Sequence, residues 1–198
     1  MYFKYSNKEI NYLKKKDQLL GAAIERIGKI DREVTKDPFE GLIGSIISQQ
    51  ISKKAAKTVW NRFAELITKI TPENIIKAND EDIQKCGMTN RKVYYIKEIA
   101  TAAIKGEIDF TKLNTLSDQE IINKLTKLHG VGVWTAEMLL IFSLNRPDIV
   151  SYNDLAIRRG MMNLYGLKTL TKEQFQQYKN RYSPYGSVAS LYLWELSH

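Results

Sequence analysis

Two glycines and a carboxylate are the residues of this chain most able to do chemistry. Leu128-His129-Gly130-Val131-Gly132-Val133-Trp134-Thr135-Ala136 sets a Gly-Val-Gly spacing between two helix-compatible segments, and Asp154 lies about two dozen residues further on. Glycine lacks a Cβ, so such a segment forms a tight hairpin whose backbone can approach a ligand closely. The helix that starts there turns unpaired N–H groups toward the same spot. That predicts an anion site at Gly130, Val131 and Gly132, with the Thr135 hydroxyl reinforcing it. Asp154 adds a carboxylate. Such a group can stabilise positive charge that develops in a transition state and can orient or deprotonate water. It also fits as a plain N-cap, because Leu155-Ala156-Ile157-Arg158-Arg159 reads as a helix start.

The elements that must carry these residues are helical. Leu19, Ala22, Ala23, Ile27 and Ile30 suit one amphipathic helix. Leu42, Ile43, Ile46 and Ile47 suit a second, opened by Asp37-Pro38. Ala55, Ala56, Val59, Trp60, Phe63 and Leu66 suit a third starting near Ser52, which leaves Gln49 and Gln50 at the junction. Thr71-Pro72 opens a short helix, and Gly87 stops another that runs from Asp80 to Cys86. Val93, Ile96, Ala100 and Ala103 share a face of a longer one. Ser117-Asp118-Gln119-Glu120 is a capping box ahead of Ile121, Ile122, Leu125 and Leu128, and the hairpin follows, then a helix from about Trp134 to Ser143. Thr171 opens another helix, and Ser187 to Leu196 is the last. No segment alternates with period two between turn signals, so the expected class is all-α.

Composition narrows the function. The 198 residues suit one globular unit or two small lobes, and a 43% apolar fraction is that of a folded protein. A formal charge of +8 favours a polyanionic partner. One cysteine, Cys86, rules out an intramolecular disulfide and a cysteine-ligated iron–sulfur cluster, and two histidines argue against structural zinc. The apolar run Met138 to Phe142 is too short to span a bilayer, and Lys14-Lys15-Lys16 leaves no apolar signal core, which predicts an intracellular, cytoplasmic protein.

Four segments in order resemble the helix-hairpin-helix DNA glycosylases, and within them the bacterial 3-methyladenine DNA glycosylase II group. They are Ser45-Ile46-Ile47-Ser48-Gln49-Gln50-Ile51-Ser52, Cys86-Gly87-Met88-Thr89-Asn90-Arg91-Lys92, the hairpin with Asp154, and Tyr182-Ser183-Pro184-Tyr185-Gly186-Ser187-Val188-Ala189 leading into Leu191-Tyr192-Leu193-Trp194. The likeness covers roughly residues 38 to 196. It implies two helical lobes: a central one over 38–150 carrying the helix-hairpin-helix at about 117–143, and a second made of 1–37 and 151–198. An active cleft would lie between them. The stretch before residue 38 is too short for the N-terminal β-domain of the group, which implies a compact form.

The resemblance assigns chemistry residue by residue. Asp154 becomes the carboxylate that meets the deoxyribose of damaged double-stranded DNA when the N-glycosidic bond breaks. Bifunctional relatives carry an amine nucleophile where this chain has Trp134, which implies hydrolysis by water and no lyase step. Trp134, Met138 and Tyr185 fall at base-pocket positions. A tryptophan face attracts a cationic alkylated purine such as 3-methyladenine or 7-methylguanine. Methionine at 138, tyrosine at 185 and glycine at 186 depart from the residues common in close relatives and bear on base preference. Gln50 takes the position of the wedge that fills the gap left by an extruded base. Arg91 and Lys92, at a helix start, are placed to grip phosphate. The stripe Leu191, Tyr192, Trp194 reads as core. The hairpin's backbone carbonyls are where relatives hold a monovalent cation; no other cofactor is implied, and a monomer is expected. Two alternatives remain: a glycosylase for oxidised or deaminated bases, and a non-catalytic DNA-binding module, which would need neither Asp154 nor the aromatics.

Overall fold

The computed structural model describes residues 1–198 and is all-helical, with a single isolated bridge between Tyr2 and Glu33. Twelve α-helices and one 3-10 helix divide into two compact units, Met1–Val34 with Leu140–His198, and Thr35–Leu139.

The unit Thr35–Leu139 holds α3 (Pro38–Ser48), α4 (Lys53–Ile67), α5 (Pro72–Lys77), α6 (Asp80–Lys85), α7 (Asn90–Ile104), a 3-10 helix (Phe110–Thr115), α8 (Asp118–Leu125) and the first turns of α9 (Val133–Phe142). Most of these starts are chemically marked. Asp37 caps α3 with proline at the first turn, Ser52 caps α4, Thr71 caps α5, Thr89 caps α7, and Ser117 with Glu120 closes a capping box on α8. The core gathers Leu42, Ile43, Ile46, Phe63, Ile96 and Ile121 around α3 and α7.

The unit built from the two chain ends holds α1 (Asn7–Lys16), α2 (Gln18–Ile27), the end of α9, α10 (Leu155–Tyr165), α11 (Lys172–Tyr182) and α12 (Gly186–Glu195). Helix α1 is absent from the periodicity reading, although Ser6 and Glu9 form a capping box there. Its apolar face is thin, with Leu13 its one buried residue, so hydrophobic spacing does not announce it. Helix α2 is rotated from the expected phase. Leu20, Gly21, Ala23 and Ile24 are inside, whereas Leu19 is 53% exposed. Gly21 explains the rotation, since a Cβ there would stand 3.1 Å from the Lys14 Cα, so α1 packs against the glycine. A similar close approach joins α10 to α12. A Cβ on Gly160 would fall 1.9 Å from the Leu193 carbonyl oxygen, and Asn163 Nδ2 donates to the Leu196 carbonyl at 2.8 Å.

Candidate active site and DNA-binding hairpin

Asp154 is the N-cap of α10 and is 7% exposed. Its Oδ1 accepts the Ala156 and Ile157 amides, both at 2.9 Å, and its Oδ2 accepts the Trp194 indole N–H at 3.2 Å. The capping role and the candidate catalytic role therefore coexist in one side chain. Trp194 is the residue that sequence reasoning missed. It reads as core in the stripe Leu191, Tyr192, Trp194, and only the crossing at Gly160 shows that its indole reaches Asp154. Phe142 lies 5.4 Å from the Trp194 ring, and the Arg32 guanidinium sits 5.5 Å from Phe142 and 5.8 Å from Trp194, which hold the indole from behind.

The segment leading to Asp154 is stitched to α12 by two serines. Ser187 Oγ donates to the Arg146 carbonyl at 2.6 Å and accepts the Ile149 amide at 3.0 Å, while Ser190 Oγ donates to the Ile149 carbonyl at 2.9 Å. Both serines are fully buried, so these bonds satisfy backbone groups that water cannot reach. Tyr185 belongs to the same unit. It precedes α12, is half-buried, and meets Tyr12 edge-on at 5.1 Å, with the Tyr12 hydroxyl donating to the Ser183 carbonyl at 2.7 Å.

The hairpin occupies the other unit, between α8 and α9. Gly130 has φ +80, and a Cβ there would lie 2.3 Å from the Tyr95 ring. Gly132 has nothing within 4 Å of a built Cβ, and its carbonyl accepts the Ala136 amide at 3.0 Å to start α9. The two glycines thus serve different ends: Gly130 permits a left-handed turn packed on an aromatic ring, and Gly132 leaves the approach to the helix start open. Two of the residues expected at phosphate are engaged or enclosed within the protein. The Val131 amide is used within the turn, donating to Leu128 at 3.2 Å, and its side chain is buried. Thr135, on α9, is 3% exposed.

Three side chains set the hairpin against its neighbours. Gln49 Nε2 donates to the Gly130 carbonyl at 2.9 Å. Glu98 of α7 accepts the His129 amide at 3.2 Å and contacts its Nδ1 at 2.7 Å, a clamp that sequence spacing gave no means of finding. Lys92 donates to the Ile47 and Gln49 carbonyls at 2.7 and 2.6 Å, and burial pulls its ammonium below the ordinary lysine range. Lys92, expected at phosphate, here satisfies orphan carbonyls at the end of α3. Arg91 stays exposed, with its guanidinium 5.8 Å from the Tyr95 ring under Gly130.

The turn that Gln49 and Lys92 hold presents Gln50, exposed and with φ +58. A non-glycine residue in this conformation costs on the order of 1–2 kcal/mol, so glycine would relieve strain that this chain retains. On α9, Trp134 is 40% exposed and Met138, one turn on, is buried. No group of three or more histidine, cysteine or carboxylate side chains could hold a metal ion, and Cys86 is a buried free thiol whose pKa burial raises.

The sequence profile described as HhH-GPD superfamily base excision DNA repair protein matches residues 43–184. Among curated proteins, the chain is 40% identical over 167 residues to DNA-3-methyladenine glycosylase 1 of Schizosaccharomyces pombe, covering 82% of this chain and 73% of that protein. Among solved structures, a DNA-3-methyladenine glycosidase from Bacillus halodurans superposes with a TM-score of 0.87 at 34% identity, covering 100% of this chain and 92% of that one. A 3-methyladenine DNA glycosylase of S. pombe in complex with abasic DNA gives 0.85 at 36% identity, covering 95% of each chain. With a glycine hairpin, a capping aspartate after it and profile agreement across most of its length, this chain belongs to the HhH-GPD superfamily of base excision DNA repair proteins.

Proposed function

We propose that the protein is a monofunctional DNA glycosylase that extrudes alkylated purines, 3-methyladenine and 7-methylguanine, from duplex DNA and hydrolyses their N-glycosidic bond. The observation that carries the reading is Asp154, a buried carboxylate held on both oxygens by the α10 amides and by Trp194. As the C1′–N bond breaks, its electron pair leaves with the base and positive charge builds on the sugar. A carboxylate fixed beforehand stabilises that charge without reorganising. Water then adds its oxygen to C1′ and gives a proton to the carboxylate. An alkylated purine begins as a cation and departs neutral, so the enzyme need supply little help to the leaving group. The names of the relatives, 3-methyladenine glycosylases in two fungal and bacterial cases, support this choice of base.

Trp134 stacks on the extruded base in this reading, and Met138 and Tyr185 are the other two residues assigned to base selection. Trp134 also stands where a Schiff-base lysine would be needed, so water is the nucleophile. Gln50 fills the vacated stack, and its retained strain supports a side-chain role, since a turn alone would be better served by glycine. Gly130, Gly132 and Arg91 meet backbone phosphate. The Leu128, Gly130 and Gly132 carbonyls each accept one N–H and keep a second lone pair, so they suit a monovalent cation in donor type; no step of the reaction is routed through one. The test is release of free bases from alkylated duplex DNA, identified by mass. Asp154→Asn should lower single-turnover excision by about 10²–10³ while DNA binding persists. Near-native excision by that variant, or release of oxidised bases in preference to alkylated ones, overturns the reading.

A further inference from the structure

The exposed face of α10 beyond Asp154 carries a concentration of positive charge that the site above does not use. Arg158, Arg159 and Lys168, with Leu155 and Thr169, line a groove of about 380 Å³. Lys172 adjoins it through Tyr152: the Arg158 guanidinium lies 5.1 Å from that ring, the Lys172 ammonium lies 5.6 Å from it, and Phe175 fixes the ring edge-on at 5.1 Å. None of the four cations forms an ion pair, although lysines elsewhere find carboxylates, as Lys14 does with Glu25 and Lys97 with Asp80. The nearest acidic neighbour in sequence, Glu173, is exposed on α11. The Arg158 Nε is buried and has no hydrogen-bond partner. Two cations held against one ring, with two more beside them and no carboxylate paired to any, leave a local excess of positive charge that an anion in the groove would offset.

We infer that this groove is a second DNA-backbone contact, one that receives a phosphodiester flanking the damaged nucleotide. The inference rests on the reading of Asp154 as the group that meets the sugar. Four residues of α-helix separate Asp154 from Arg158, a rise of about 6 Å. Phosphates recur every about 3.4 Å along each strand of a duplex, so a cation one helical turn from Asp154 is near enough to meet a phosphate that flanks the sugar. Leu155, 66% exposed beside Asp154, presents an apolar surface suited to a deoxyribose face. Thr169 adds a hydroxyl donor for a phosphate oxygen, and Arg158 and Arg159 add forked donors. A free phosphate would meet the same donors; only a diester lies at a fixed distance from Asp154.

The experiment measures affinity for an undamaged duplex against salt, for the parent and for Arg159→Gln/Lys168→Gln, which spares the packed Arg158. Removing two phosphate contacts should lower the salt slope by about two, so the affinity ratio between about 50 and 200 mM salt shrinks on the order of ten-fold. Duplexes with a non-cleavable abasic analogue and one uncharged methylphosphonate at each position near it locate the contact. A neutral linkage within two phosphates of the analogue should weaken the parent more than the double variant, which keeps only Arg158 at the contact. Arg158→Gln, checked for folding by circular dichroism, should give the same pattern. An unchanged slope in the double variant, or equal sensitivity of parent and variant to every neutral linkage, overturns the inference and leaves the groove to a free anion or an acidic partner. Neither duplex undergoes glycosidic cleavage, so failure here is distinct from failure of the Asp154 reading, which Asp154→Asn tests by excision.

Discussion

Replacing Gly130 by alanine should destabilise the protein, whereas the same change at Gly132 should not, and the contrast tests how the hairpin is built. At Gly130 the backbone has φ +80, where an L-residue pays roughly 1–2 kcal/mol. The new Cβ would also stand 2.3 Å from Tyr95 Cδ2 and 2.8 Å from Cγ. Cγ is at the root of the ring, so the aromatic cannot swing only its far edge aside and must change its χ1. Overpacking of this kind costs about 1–3 kcal/mol. The sum, about 2–5 kcal/mol, should lower the Tm by about 5–15 °C for a chain of this length. Gly132 has neither a left-handed φ nor any atom within 4 Å of a built Cβ, so alanine there should stay within about 0.5 kcal/mol of the parent. Its effect should fall on DNA affinity, because the methyl group intrudes where a phosphate approaches the α9 start. Thermal and urea denaturation give the stabilities, and fluorescence anisotropy with a labelled duplex gives the affinities. A double-mutant cycle with Tyr95→Ala separates the two costs: the coupling should be about 1–3 kcal/mol, leaving the backbone part behind. A Gly130→Ala protein melting within a degree or two of the parent would refute both the left-handed turn and the Tyr95 contact.

Borohydride should trap no covalent adduct with damaged or abasic DNA, since Trp134 occupies the position of the amine; recovery of an adduct on a denaturing gel would reverse the assignment of water as nucleophile. Trp134→Ala should lose about 1–3 kcal/mol of base stacking, more for cationic 7-methylguanine than for neutral hypoxanthine, in single-turnover excision; equal losses would remove the cation–π component. Trp194→Phe keeps the ring but deletes the N–H that Asp154 Oδ2 accepts, so it should cost about 1.5–3 kcal/mol in stability and slow excision; an unchanged rate would confine Trp194 to packing. Lys92→Met should destabilise by leaving the Ile47 and Gln49 carbonyls without their donor, with urea unfolding as the measure, and a neutral result would show that water satisfies them.

The helix order and the hairpin are legible in the sequence because their signals are local. Asp37-Pro38, Ser117 with Glu120, and Thr171 with Gln174 each state a helix start within four residues, and the structure uses all three as caps. Gly130 and Asp154 could be singled out for the same reason: a left-handed turn and an N-cap are properties of a short stretch of chain. What local pattern could not supply is which polar atoms meet over long separations. Lys92 looks like a phosphate ligand at a helix start until α3 ends against it and offers two carbonyls. Val131 and Thr135 look available until the turn takes up the Val131 amide and α9 encloses Thr135. Trp194 looks like core until Gly160 lets α10 approach α12 and brings the indole to Asp154, forty residues away in sequence. Periodicity reports how often a helix shows one face, and it misplaced the buried face of α2 because Gly21, counted as a neutral residue, is the contact with α1. Residue type and spacing therefore determined the helical class, the caps and the chemistry available. The tertiary structure alone decided which of those groups are already bonded to one another and which remain at the surface to meet DNA, because only the packing of helices distant in sequence determines where each donor finds its acceptor.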